Sequence, residues 1–238
     1  TINGGNIYAE SGLGTAIGGG SSATTDGASA DVYIYGGYIV AKSLANSPGI
    51  GGGSSRTNTS ASGSGGDATI TIGGKNMNPI VRTGSIGGGS CGNDGTGQIG
   101  AAKVTIEDGD IQAQFVMAAG SGSVPTFTMT GGLIRNSDTD DLEYIHLQKN
   151  GGAVYLEDGT FTMVGGKISH CRAEIGGAIY IKGKETTLFS MTGGEIFECI
   201  SETDGGALYL EGGNVSLSGG KVFNNLASNG NGGGFCIV

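Results

Sequence analysis

Phe127-Thr128-Met129-Thr130-Gly131-Gly132-Leu133-Ile134 returns almost letter for letter as Phe161-Thr162-Met163-Val164-Gly165-Gly166-Lys167-Ile168 and as Phe189-Ser190-Met191-Thr192-Gly193-Gly194-Glu195-Ile196. Two apolar residues at alternate positions lead into a glycine corner, and an isoleucine follows. Looser versions begin at Thr1, Val32, Ile70, Val104 and Val215. Self-similarity of this kind is the mark of a solenoid, in which each repeat buries its apolar face only against its neighbours.

The first corner residues stand at positions 4, 36, 74, 108, 131, 165, 193 and 219, separated by 32, 38, 34, 23, 34, 28 and 26 residues. That spread is too wide for a short fixed-period repeat. It suits coils whose strands are constant and whose loops vary. Two residues before the corner stand Ile2, Ile34, Ile72, Ile106, Met129, Met163, Met191 and Leu217; four before stand Val32, Ile70, Val104, Phe127, Phe161, Phe189 and Val215. Three after stand Ile7, Ile39, Met77, Ile111, Ile134, Ile168, Ile196 and Val222. Alternate residues of a strand share a face, so these columns are expected to point inward together.

A second motif supports a second strand in each coil. Gly151-Gly152-Ala153-Val154-Tyr155, Gly176-Gly177-Ala178-Ile179-Tyr180, Gly205-Gly206-Ala207-Leu208-Tyr209 and Gly232-Gly233-Gly234-Phe235-Cys236 recur, and Ile17, Ile50 and Ile86, each followed by Gly-Gly-Gly-Ser, are assigned to the same place. No helical period interrupts the pattern. The expected fold is all-β: a right-handed parallel β-helix of about eight coils forming one domain over residues 1–238. The first residue already lies inside a repeat and the last seven open another. The chain is therefore read as part of a longer protein.

Composition narrows the function classes. Glycine supplies 52 of 238 residues without a three-residue period, which excludes collagen. The formal charge is −9 and the basic residues are scattered, so nucleic acid is not an expected partner. No apolar run reaches the length of a membrane span. The four cysteines (91, 171, 199, 236) form no Cys-x-x-Cys, and His146 and His170 are the only histidines. No metal site and no cofactor is expected. Cys171 and Cys199 each follow a template isoleucine by three residues and should stack in successive coils, either as a disulfide or as two buried thiols.

The Gly-Gly-Ala-[Ile/Leu/Val]-Tyr motif resembles the repeats of bacterial polymorphic outer-membrane proteins. It is also similar to β-helical surface proteins of gut bacteria, which share the Thr-Met-x-Gly-Gly-x-Ile phrase. The likeness covers about residues 127–238; the companion Phe-x-x-Asn motif is missing, with Phe223-Asn224-Asn225 only approaching it. What the resemblance implies is a secreted or cell-surface β-helix, adhesive or carbohydrate-facing, with a glycan or host-surface partner. It transfers no catalytic residue.

Several constellations compete for a chemical role. Thr1, Tyr33, Thr71, Thr105, Thr128, Thr162, Ser190 and Ser216 form an outward hydroxyl column of the sort ice-binding solenoids use. Ice binding needs a second such column. The neighbouring Asn3, Tyr35, Gly73, Glu107, Thr130, Val164, Thr192 and Ser218 are too mixed, and β-branched outward residues are ordinary on strands. Lys167, Glu195 and Lys221, and likewise Glu157, Lys182 and Glu211, alternate in sign along the stack and suit cross-strand pairs. Glu107 and Asp110 find no carboxylate partner, Asp110 having Asn76 and Leu133 as expected neighbours. The acidic cluster Asp138, Asp140, Asp141 and Glu143 with His146 sits in an insertion and reads best as a solvated loop. The glycine runs lack the phosphate-loop signature.

The exposed feature that stands out is aromatic. Tyr33, Tyr35 and Tyr38 all fall in outward columns, with Tyr8 one coil earlier. Flat rings with a polar tip suit sugar rings or protein partners. The sequence thus points to a non-enzymatic extracellular β-helix with Tyr33, Tyr35 and Tyr38 as ligand-binding residues; the alternative is a carbohydrate-active β-helix enzyme.

Overall fold

The computed structural model describes residues 1–44, 47–55, 63–74, 76–90, 98–117, 124–136 and 148–238. Among them every paired strand runs parallel to its neighbours and no α-helix occurs. The strands form a β-helix with sheets of seven, fourteen and four strands.

The seven-stranded sheet takes one strand from each successive coil: Ala30–Ile34, Ala68–Ile72, Ala102–Ile106, Thr126–Met129, Thr160–Met163, Leu188–Met191 and Asn214–Leu217. Its register is unbroken. Val32, Ile70, Val104, Phe127, Phe161, Phe189 and Val215 stack in one inward column. Ile34, Ile72, Ile106, Met129, Met163, Met191 and Leu217 stack in the other, with Ile2 bridged to Ile34. Alternation along each strand sends these residues to one side, where they meet residues of equal size on the rungs above and below. Phe115, Phe127, Phe161 and Phe189 form an internal ring ladder with centroids 4.8, 4.6 and 4.9 Å apart.

The fourteen-stranded sheet holds two further columns. Ile7, Ile39, Val81, Ile111, Ile134, Ile168, Ile196 and Val222 form the first. Val81 takes the place expected for Met77, which is exposed. Two asparagines in the left-handed region, Asn76 (φ 55°) and Asn78 (φ 43°), add a turn there and move the strand four residues on. The second column is Ile17, Ile50, Ile86, Phe115, Val154, Ile179, Leu208 and Phe235. The apolar residues of the two motifs therefore share one column, but their glycines do not: Gly87 follows Ile86 and aligns with Val116 and Tyr155, whereas Gly151, Gly152 and Ala153 precede Val154.

The four-stranded sheet (Gln148–Asn150, Arg172–Ile175, Ile200–Ser201, Leu226–Ala227) gives the later coils a third face that the sequence reading did not separate. Cys171 and Cys199 lie at its entrance, buried, in register and as free thiols. Asn136 and Asn225 close the ends of this column. Asn136 accepts the Arg172 N–H at 2.7 Å, and Asn225 accepts the Cys199 N–H at 3.0 Å.

Glycine makes the close stacking possible in two ways. The second residue of the corner has φ between 78° and 111° in Gly5, Gly37, Gly109, Gly132, Gly166, Gly194 and Gly220, a region costly for residues with a Cβ. Elsewhere backbones touch directly: a Cβ on Gly88 would lie 1.6 Å from the Gly100 carbonyl oxygen. There, backbone bonds from Gly53 to Ala28, Gly66 to Gly53, Gly89 to Gly66 and Gly100 to Gly89 zip two glycine segments together at 2.8–2.9 Å.

The core thins at the two ends. Ile2 is only half-buried and Leu217 is 46% exposed, against full burial expected for that column, because neither has a rung beyond it. The position-dependence is testable. Phe161→Ala removes a ring packed between two others and should cost about 3–5 kcal/mol, whereas Leu217→Ala in the same sheet should cost no more than about 0.5 kcal/mol. Urea unfolding of the two variants beside the parent measures the difference.

Candidate functional site

The outer face of the seven-stranded sheet is built from the residues between the buried columns. Its central column reads Tyr33, Thr71, Thr105, Thr128, Thr162, Ser190 and Ser216, in unbroken register. On one side stand Asp31, Thr69, Lys103, Thr126, Thr160, Leu188 and Asn214. On the other stand Tyr35, Gly73, Glu107, Thr130, Val164, Thr192 and Ser218, each tied by its backbone N–H to the rung before. The hydroxyls of Thr69, Thr71, Thr105, Thr126, Thr128, Thr160, Thr162, Ser190 and Ser216 have no hydrogen-bond partner among the described residues. Thr130 differs, donating to the Ile106 carbonyl at 3.3 Å. Thr69, Thr126 and Thr160 supply part of the second hydroxyl column that the sequence reading sought only on the opposite flank. Their signal was the Thr-x-Thr alternation at 69–71, 126–128 and 160–162.

Tyr33 and Tyr35 project from the N-terminal end of this face, their rings 6.4 Å apart and inclined by 25°. Tyr38 does not join them. It lies beyond the Gly36–Gly37 corner on the fourteen-stranded sheet, in register with Asn6 and Ile80. All three tyrosines are half-buried. Tyr8 is more exposed and lies under the Lys42 ammonium, 5.9 Å from the ring centroid.

A larger aromatic array was not anticipated as such. Tyr155, Tyr180 and Tyr209 stack along the axis at 5.6 and 5.4 Å, with planes within 7–11° of parallel. Each ring face is covered by the next, so the array offers edges to a ligand. Tyr155 donates to Glu157 at 2.9 Å and Tyr180 to Glu211 at 2.6 Å. Burial, the carboxylate hydrogen bond and the neighbouring negative charge raise both phenols above their ordinary pKa.

Five of the described carboxylates form ion pairs, and Glu157 and Glu211 accept tyrosine hydroxyls. Glu195 lies between Lys167 (3.6 Å) and Lys221 (3.3 Å), as the alternation of sign required. Lys184 holds Asp158 at 2.9 Å, and His170 meets Glu198 at 2.9 Å. Asp110 is held by two arginines. Ile80, not Asn76, is its neighbour on the preceding rung, and Arg82 and Arg135 reach it from two sides at 3.0 and 2.8 Å. The Arg135 Nε adds a bond to the second carboxylate oxygen at 3.0 Å. The inserted turn at 76–79 hid Arg82 from the sequence reading. The acidic cluster 138–143, His146 and Cys91 lie outside the described residues. Among the described residues no group of three or more His, Cys, Asp or Glu side chains could hold a metal ion. No described helix is long and apolar enough to cross a membrane.

Asp110 gives a pH test. Burial pushes its carboxyl up, but the hydrogen bonds and charges of Arg135 and Arg82 outweigh burial and hold it below its ordinary value. A lowered native pKa contributes stability above the unfolded value of about 4 and loses it as pH falls through the native one. Asp110→Asn should therefore cost about 1–3 kcal/mol at neutral pH. The difference from the parent should shrink as pH drops below about 4, which paired thermal melts across acid pH would reveal.

Comparison with known proteins found no matching family model, no matching curated protein and no matching solved structure.

Proposed function

We propose that this chain is an extracellular, non-enzymatic β-helix module of a bacterial surface protein, and that it binds glycans through the outer face of the seven-stranded sheet. The observation that carries the reading is the half-exposed Tyr33–Tyr35 pair beside a column of hydroxyls with no partner among the described residues. Pyranose rings present apolar C–H faces and a rim of hydroxyls. Aromatic faces take the first and free threonine hydroxyls the second. The resemblance of the Gly-Gly-Ala-x-Tyr repeats to bacterial surface proteins supports the location.

The pairing of six carboxylates on and beside the fourteen-stranded sheet supports binding over turnover. Asp110, Asp158, Glu195 and Glu198 are each occupied by a basic partner, and Glu157 and Glu211 by tyrosine hydroxyls. Two free carboxylates facing one another, which glycoside hydrolysis requires, are not assembled by these residues. Tyr38 is not needed for the platform, because the corner turns it onto another sheet.

The test is a glycan array with the parent and a Tyr33→Ala/Tyr35→Ala variant, run with an assay for new reducing ends and unsaturated products. Binding by the parent without product, lost in the double variant and kept in Tyr38→Ala, is the expected result. Product formation would move the chain to the enzyme class. Equal binding by the double variant would remove the platform.

A further inference from the structure

We propose that the outer face of the seven-stranded sheet binds a linear, ribbon-like β-1,4-linked polysaccharide laid along the solenoid axis, each rung engaging successive sugars through its central hydroxyl. The inference rests on the glycan-binding reading above and names the kind of glycan.

Three observations lead to it. The first is periodicity. Thr71, Thr105, Thr128, Thr162, Ser190 and Ser216 occupy six consecutive rungs without a register shift. At strand spacing they form a row about 24 Å long, with a hydroxyl roughly every 4.8 Å. Ring pairs on the other faces, Tyr155–Tyr180, Tyr180–Tyr209 and Phe197–Phe223, lie within 5–11° of parallel, while the inward rings of this sheet incline by 14° and 32° from rung to rung. A row of that kind matches a straight ligand with its own short repeat and mismatches a branched or coiled one. An extended β-1,4-linked pyranose chain advances by nearly one rung per sugar.

The second is chemistry. The preference of strands for β-branched residues explains Thr over Ala or Ser but not Thr over Val. Solvent exposure alone accepts charge, and the outward columns of the fourteen-stranded sheet carry it in Lys167, Glu195, Lys221, Glu157, Lys182 and Glu211. The central column here carries none. Its hydroxyls can each donate and accept, and none is bonded among the described residues. An uncharged polymer that offers hydroxyls in both roles is the complementary partner.

The third is the end of the row. Tyr33 continues the same column one rung before Thr71, and Tyr35 stands beside it. The ribbon form of a β-1,4 chain exposes apolar ring faces, so the sugar at that end can rest on a ring while the rest of the chain follows the hydroxyls. Lys103 and Leu188 interrupt the flanking column, which restricts the engaged width to about a single chain.

The experiment is a calorimetric titration with graded cello-, xylo- and chito-oligosaccharides. It compares the parent, Thr128→Val/Thr162→Val, which keeps side-chain shape and branching, and Tyr33→Ala/Tyr35→Ala. For at least one series, affinity should rise with oligomer length until the row is spanned. The threonine double variant should bind long oligomers at least about tenfold more weakly with an unchanged melting temperature. Length-independent affinity with undiminished binding by the threonine variant, but loss in the tyrosine variant, would overturn the row and leave the tyrosine platform standing. No binding of any oligomer by the parent would overturn the row, whereas the array experiment judges the broader glycan reading separately. Inhibition of ice recrystallisation by the parent, lost in the threonine variant and without oligomer binding, would reassign the row to ice and overturn the polysaccharide.

Discussion

Everything in this molecule depends on stacking inward columns from one coil to the next. A single coil brings only a few apolar side chains to the axis and has nothing to pack them against. Burial is achieved when Phe127 finds Phe161 above it and Phe161 finds Phe189, with ring centroids under 5 Å apart. Such contacts require the strands of successive coils to lie at hydrogen-bonding distance in exact register. The register in turn demands corners that turn sharply and glycine segments whose backbones touch. This is why glycine is abundant in the described strands and corners. A Cβ at Gly88 or Gly51 would stand within 1.6–1.8 Å of a neighbouring carbonyl oxygen.

The same register dictates the surface. Inward columns must be apolar and matched in size, so chemical variety is confined to the residues between them. Some outward columns then repeat one theme at rung spacing, while their flanks stay mixed. On the fourteen-stranded sheet the theme is alternating charge and stacked tyrosine, which satisfies the protein's own groups. On the seven-stranded sheet it is hydroxyl, which leaves groups unsatisfied and ready for a partner. A solenoid thus turns a repeated residue into a linear array, and the array, more than any single side chain, is what a ligand would meet.

Much of this was legible in the sequence because alternation survives in every coil: Ile34, Ile72, Ile106, Met129, Met163 and Met191 sit where the pattern put them. Reading failed where the chain departs from one residue per position. The extra turn at Asn76 and Asn78 displaced Met77 from the core and concealed the approach of Arg82 to Asp110. The four-stranded sheet was missed because two of its strands have only two residues, too short for a period to show. Leu217 looked like core because its side chain fits the column; exposure came from the absence of a rung beyond it, which no local pattern encodes. Of the three tyrosines, 33 and 35 share a face by simple alternation. Tyr38 was grouped with them by counting outward positions without allowing for the corner between.

Native-state amide hydrogen exchange tests the stacking account most directly, because protection in a solenoid is set by neighbours on both sides. The account predicts the slowest exchange at 104–106, 127–129, 161–163 and 189–191, strands paired on two edges, and markedly faster exchange at 6–11 and 214–223, which are paired on one. Uniform protection up to both end rungs, or protection concentrated in blocks unrelated to the columns, would contradict it.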